Sequence, residues 1–72
     1  MSTIDAYITG TVWKLEVNVG DAVAEGDVVA ILESMKMEME VEAEVGGVVA
    51  ELLCKVGDAV SEGEPLMRLA DG

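Results

Sequence analysis

The sequence contains two copies of one unit, and this internal repeat limits the possible folds more than any other feature. The first copy runs from Gly10 to Glu33 and reads GTVWKLEVNVGDAVAEGDVVAILE. The second runs from Gly47 to Ala70 and reads GVVAELLCKVGDAVSEGEPLMRLA, so equivalent positions lie 47 − 10 = 37 residues apart. The repeat predicts two similar half-domains related by an approximate two-fold axis. Lys36 lies between the two copies, which suggests a symmetric scaffold that displays one lysine, as in a carrier and not a catalyst.

The length and the charge balance limit the class of protein. A chain of 72 residues forms one domain, residues 1–72, with a small core. Aromatic residues make up only 3% of the sequence, so the core is expected to be aliphatic. The 15 acidic residues against 4 basic ones give a formal charge of −11, which disfavours nucleic acid and anionic membrane surfaces as partners. This charge either keeps an apolar small domain in solution or attracts a basic docking surface.

The single cysteine and the distribution of apolar residues bear on the cellular compartment. Cys54 aligns with Val17 of the other copy and is predicted to be a small core residue. With one cysteine and no signal-peptide pattern, we expect a reducing compartment, and we predict a cytoplasmic protein. No apolar run approaches the roughly 20 residues that a membrane-spanning helix needs.

Alternating hydrophobicity predicts β-strands. In residues 37–45 the odd positions are apolar and the even positions are glutamates, so a strand there has one buried and one solvated face. Apolar runs between glycine-containing corners predict further strands at 3–8, 11–17, 28–33, 48–54 and 65–69, with short extended pieces at 22–23 and 59–60. About eight short strands indicate an all-β sandwich or flattened barrel. Predicted core residues include Val12, Leu15, Met39, Val41, Ala43, Val49 and Leu52.

Lys36 is predicted to lie at the tip of a hairpin. Only residues 34–36 separate the strand at 28–33 from the strand at 37–45, which leaves room for nothing but a tight turn. The turn lacks the usual Asn-Gly pair, so we expect some backbone strain at Met35 and Lys36. Taken alone, the position also fits an ordinary surface lysine.

The sequence around Lys36 resembles the biotinyl/lipoyl attachment domain family. The resemblance rests on Glu33-Ser34-Met35-Lys36-Met37 at the centre of the repeat, with the Gly-Asp-x-Val and Glu-Gly corners of both halves, and it covers residues 4–70. Methionine on both sides of the lysine is similar to the biotinyl branch, whereas the lipoyl branch usually has aspartate before it. Ser34 departs from the alanine often found there. The resemblance implies two antiparallel four-stranded sheets, a barrel-sandwich hybrid, either as a short stand-alone protein or as a domain of a longer one.

The resemblance also implies a function. Lys36 is expected to receive biotin covalently from a biotin protein ligase, which would recognise Met35, Met37, Glu33 and Ser34. The biotin arm would then move carboxylate between the biotin carboxylase and carboxyltransferase components of a carboxylase, in the mitochondrial matrix if that carboxylase is eukaryotic. Met37 fits a buried strand position equally well. The resemblance implies no catalytic residue and no metal site in this chain.

Two alternatives to biotin carriage remain open on the sequence. The first is a lipoyl carrier of a 2-oxoacid dehydrogenase-type system, with lipoate on Lys36. The second is an unmodified β-domain that binds partners and leaves Lys36 bare.

Overall fold

The computed structural model describes residues 2–70, and alternating or β-branched apolar segments form eight β-strands in them. Their bounds are β1 Ser2–Asp5, β2 Gly10–Leu15, β3 Ala22–Val23, β4 Val28–Ser34, β5 Met37–Glu42, β6 Gly47–Leu52, β7 Ala59–Val60 and β8 Pro65–Ala70. The part of the chain that the structure describes contains no helix of the length and apolarity needed to cross a membrane.

The strands form two antiparallel four-stranded sheets, and each sheet contains strands from both copies of the repeat. One sheet has the order β1-β8-β6-β3 and the other the order β5-β4-β2-β7. A shift of 37 residues converts β1 to β4 into β5 to β8, and it converts each sheet into the other. The predicted all-β fold with an approximate two-fold axis is therefore confirmed.

Two equivalent turns form hydrogen bonds between the copies. In turns 18–21 and 55–58 the first residue's N–H donates to the fourth residue's aspartate carboxylate, at 2.8 Å in both. The third residue is a glycine with φ of +97° in one turn and +96° in the other, a left-handed conformation that glycine adopts without a steric penalty. That glycine's N–H donates to the carbonyl of Val49 in the first turn and of Val12 in the second, at 2.8 Å. Each copy thus satisfies backbone groups of the other copy.

The core lies between the two sheets and is aliphatic. Leu32, Leu66 and Met67 have no solvent exposure, and no polar or charged side chain is buried within residues 2–70. The predicted core residues that are buried are Val12, Val41, Ala43, Val49 and Cys54. Three others, Leu15, Met39 and Leu52, are only partly buried, because they lie near strand ends or on the edge strand β5.

Several predicted strands were too long. The strand predicted at 37–45 ends at Glu42, and Val45 is 47% exposed, not inward-facing. The reason is that β4 begins at Val28, which pairs with Glu42, so Ala43 has no strand partner in β4. The Ala43 N–H donates to the carbonyl of Asp27, in the turn before β4, at 2.8 Å, and the chain then bends. The strands predicted at 3–8, 11–17 and 48–54 end at residues 5, 15 and 52. Each contains a register shift, which falls between residues 4 and 5, 12 and 14, and 49 and 51, and such irregularities bend a strand and increase its twist.

Candidate functional site: the Lys36 hairpin

Lys36 lies at the tip of the β4–β5 hairpin. The ladder between these strands continues to the pair Ser34 and Met37, so Met35 and Lys36 are the only residues of the connecting turn. A two-residue connection fixes the strand register and holds the lysine at the end of a stiff two-stranded ribbon. The predicted tight turn is confirmed.

The turn contains a left-handed backbone at both residues. Met35 has a φ of 52° and Lys36 a φ of 66°, and they are the only non-glycine residues in the described chain with positive φ. Positive φ at both central positions is the type I′ geometry, whose twist matches that of the flanking strands. Asn and Gly normally occupy these positions, so the methionine and the lysine carry conformational strain. Non-glycine residues keep such strain chiefly at functional sites.

The side chains of the turn are exposed to solvent. Met35 is 91% exposed and Met37 is 60% exposed, although methionine side chains are usually buried. Lys36 is exposed as well, and it forms no ion pair with any residue between 2 and 70. The Lys36 amine is therefore accessible to a reagent or an enzyme, with two flexible thioether side chains beside it.

The base of the hairpin is packed against the start of β2. A Cβ atom added to Gly10 would lie 2.5 Å from the Glu33 carbonyl oxygen and 3.4 Å from the Ser34 Cβ, so only glycine fits there. Glu33 also pairs directly with Glu38 across the β4–β5 ladder. Like charges at directly opposite positions destabilise a sheet, so this pair of glutamates opposes the pairing of β4 with β5.

The structure brings the predicted site residues together on one hairpin. Lys36 and Met35 form the turn, Ser34 and Met37 are the strand pair next to it, and Glu33 is one pair further. The exposure of Met37 favours a surface role over the buried position that the alternation of residues 37–45 also allowed. The recognition role of these residues stays a prediction. Within residues 2–70 there is no group of three or more His, Cys, Asp or Glu side chains placed to hold a metal ion.

Sequence reasoning missed one contact of the hairpin. The Tyr7 hydroxyl, in the connection between β1 and β2, donates to the backbone carbonyl of Glu40 in β5 at 2.9 Å. The only available signal was that Tyr7 is one of two aromatic residues in the chain and that the residue 37 positions later, Glu44, is not aromatic.

A stiff β-hairpin that displays one lysine from a two-fold pseudosymmetric sandwich defines a class of post-translationally modified carrier domains. The family model described as "Biotin-requiring enzyme" (Biotin_lipoyl) matches residues 1–69. The chain belongs to this biotin/lipoyl attachment domain family, and the resemblance read from residues 33–37 is confirmed.

Similar proteins point to the biotinyl branch. The chain is 50% identical over 42 residues to the biotin carboxyl carrier protein of Streptococcus mutans, which is 58% of this chain and 32% of that protein. Its structure is similar to part of the Kluyveromyces lactis urea carboxylase, with 39% identity, a TM-score of 0.89, and coverage of 96% of this chain and 6% of that one. It is also similar to the lipoyl domain of the Azotobacter vinelandii 2-oxoglutarate dehydrogenase complex, with 39% identity, a TM-score of 0.74, and coverage of 89% and 81%.

The extent of these matches fits a carrier domain. The alignments with curated relatives span 58% of the relative's own length or less. The chain matches a small part of the carboxylase and most of the length of the lipoyl domain. The prediction of a carrier domain that is not an enzyme by itself is confirmed by the family and by these relatives.

Proposed function

We propose that the Nζ atom of Lys36 is the attachment point of biotin and that the chain carries biotin in a multicomponent carboxylase. The observation that supports this most directly is the turn itself: a strained two-residue connection places one exposed lysine at the tip of the β4–β5 hairpin. A surface lysine without a function would not need a left-handed backbone at two successive residues.

The choice of biotin rests on the relatives and on the side chains beside Lys36. The Streptococcus mutans relative is named a biotin carboxyl carrier protein. Met35 and Met37 flank the lysine and are both largely exposed. We infer that these thioethers, with Glu33 and Ser34 at the base of the turn, form the surface that a biotin protein ligase contacts.

The chemistry required of this chain is one acylation. The neutral Lys36 amine attacks the carbonyl carbon of an activated biotin, an amide bond forms at Nζ, and the activating group leaves. The chain has no histidine, and Lys36 forms no ion pair with a carboxylate between residues 2 and 70. The ligase therefore supplies the group that accepts the proton. Attached biotin supplies a ring nitrogen that accepts and releases a carboxyl group.

The hairpin then acts as a tether. With a lysine side chain on a rigid ribbon, the arm can reach a biotin carboxylase component and a carboxyltransferase component in turn. Tethering replaces diffusion between them with a high effective concentration at each site. The similarity to a region of a urea carboxylase supports carboxylase components as partners.

The test is an intact mass measurement after incubation with a biotin protein ligase, ATP and biotin. We expect one biotinyl addition, mapped to Lys36 by peptide fragmentation, and no addition in Lys36→Arg. Lys14→Arg and Lys55→Arg are matched controls, because they remove the chain's other two lysines and should leave labelling complete. Labelling that persists in Lys36→Arg, or an unmodified wild-type mass, would contradict the assignment.

Lipoate is the second candidate, and one observation favours it. The similarity to a lipoyl domain covers most of both chains, so the scaffold fits either cofactor. Adding a lipoate ligase and lipoate as competitors separates the two: a lipoyl addition alone would move the protein to the dehydrogenase branch.

A further inference from the structure

One side chain forms a hydrogen bond with the free edge of the Lys36 hairpin. In its sheet, β5 is an outermost strand, so it pairs with β4 on one side and with no strand of residues 2–70 on the other. On this open side the Tyr7 hydroxyl donates to the Glu40 carbonyl at 2.9 Å. Glu40 lies four residues after Lys36, about 13 Å along an extended strand.

The segment that carries Tyr7 is itself held firmly. Ala6 donates its N–H to the Glu64 carbonyl at 2.9 Å and accepts from the Gly63 N–H at 2.7 Å. On the other side of Tyr7, the Thr9 hydroxyl accepts from the Glu62 N–H at 3.3 Å. Tyr7 therefore connects the edge of β5 to the β7–β8 turn of the second copy.

The approximate two-fold axis shows that this connection is specific to the lysine hairpin. The backbone bonds of Ala6 are duplicated 37 residues later, where Ala43 bonds to Asp27 and Gly26 at 2.8 Å each. The equivalent of Tyr7 is Glu44, whose carboxylate accepts hydrogen bonds and cannot donate one to a carbonyl. The backbone hydrogen bonds of Ala6 are therefore repeated by the symmetry. The side-chain hydrogen bond of Tyr7 is not, and it occurs only at the edge strand of the Lys36 hairpin.

The negative charges on β5 explain why a hydrogen bond from Tyr7 would stabilise this strand. Glu38, Glu40 and Glu42 are exposed along the strand, and Glu33 of β4 is directly opposite Glu38. These carboxylates repel one another and favour fraying of an edge strand. The Tyr7 ring borders the same surface, because it lines two shallow depressions together with Glu40 and Glu42.

We propose that Tyr7 is a positioning residue for Lys36: its hydroxyl fixes β5 and so keeps the hairpin in the orientation that the modifying ligase binds. The functional half of this proposal rests on the proposed biotinylation of Lys36. Loss of the bond lowers the fraction of molecules with a competent hairpin, which raises the apparent dissociation constant of the ligase complex by the same factor.

The test is Tyr7→Phe, which removes the hydroxyl and keeps the ring. We expect amide hydrogen exchange in β5 to become about two- to fivefold faster, with β8 unchanged, since one exposed neutral hydrogen bond is lost. In ligase assays we expect KM for the protein to rise by at most that factor while kcat stays constant, because KM follows the fraction of competent hairpins and exchange follows the fraction of open ones. Trp13→Phe is the matched control, because Trp13 is exposed to a similar extent, 45% against 47%, and lies on β2.

Each other result rejects a defined part of the proposal. Unchanged exchange in Tyr7→Phe shows that the hydroxyl does not fix β5, and an increased KM with unchanged exchange shows that Tyr7 contacts the ligase directly. Faster exchange with unchanged KM rejects the positioning role. If the wild-type protein accepts no biotin, the proposed function fails, while the exchange experiment still decides whether Tyr7 fixes the hairpin.

Discussion

At the scale of single residues, the site is defined by backbone conformation more than by side-chain chemistry. Met35 and Lys36 adopt φ values of 52° and 66°, where glycine or asparagine would be easier to accommodate. The residues that fold most easily into this turn are not the ones present. The proposed attachment requires a lysine, and the strain of the turn must be offset by the rest of the hairpin.

The strain at Lys36 predicts a difference between two substitutions that both remove its charge. We expect Lys36→Gly to be more stable than Lys36→Ala by about 1 kcal/mol, because glycine adopts positive φ without a steric penalty. Urea unfolding of the two variants measures the difference. Equal unfolding free energies would show that the turn relaxes without strain. Both variants should fail to accept biotin, which separates stability from function at one position.

At the scale of strands, the sequence predicted the elements better than their ends. The apolar runs between glycine-containing corners and the alternation of residues 37–45 predicted all eight strands, and the three-residue gap after the strand at 28–33 placed Lys36 in the turn. The strand ends depend on contacts between segments that are distant in sequence, such as that of Ala43 with Asp27, which local periodicity does not encode. For the same reason the contact of Tyr7 with β5, made across 33 residues of sequence, could not be foreseen.

The close approach of β2 to β4 gives a prediction at this scale. In Gly10→Ala the new Cβ would lie 2.5 Å from the Glu33 carbonyl oxygen, so the backbone at the base of the hairpin must shift. We expect a loss of about 1–3 kcal/mol in the free energy of unfolding, as for overpacked sites. Gly47→Ala, at the equivalent position, would place its Cβ 2.7 Å from the Ala70 carbonyl oxygen and should cost a similar amount.

Gly46→Ala is the control for these two variants. Its Cβ would lie 3.3 Å from the Val23 carbonyl oxygen, a contact that a small adjustment relieves, so thermal unfolding should show a smaller loss. If all three variants lose the same stability, the loss does not come from the close approach of the strands at Gly10 and Gly47.

At the scale of the whole molecule, charged side chains and the core are separate throughout residues 2–70. No polar or charged side chain in this range is buried, although the full chain carries a formal charge of −11. The buried thiol of Cys54 is the exception among titratable groups, and its Sγ lies 3.6 Å from the Leu66 carbonyl oxygen. Burial raises the pKa of the Cys54 thiol above its ordinary value of 9.0, and the negative charges of Asp58 and Glu64 raise it further.

This raised pKa links the thiol to global stability at alkaline pH. Below 9.0 the thiol is protonated in both the folded and the unfolded chain, so its contribution to stability is fully present. As the pH rises above 9.0 the unfolded chain loses the thiol proton first, and stability falls until the folded-state pKa is passed.

Cys54→Val removes this titration and keeps a small apolar side chain, as at the equivalent Val17. Urea unfolding at about pH 7 and about pH 10 should show a smaller loss of stability in Cys54→Val than in the wild type, because the substitution removes the thiol and leaves every other side chain in place. An equal loss in the two proteins would mean that the thiol titrates alike in the folded and unfolded chains, and that the alkaline limit of stability comes from surface charge alone.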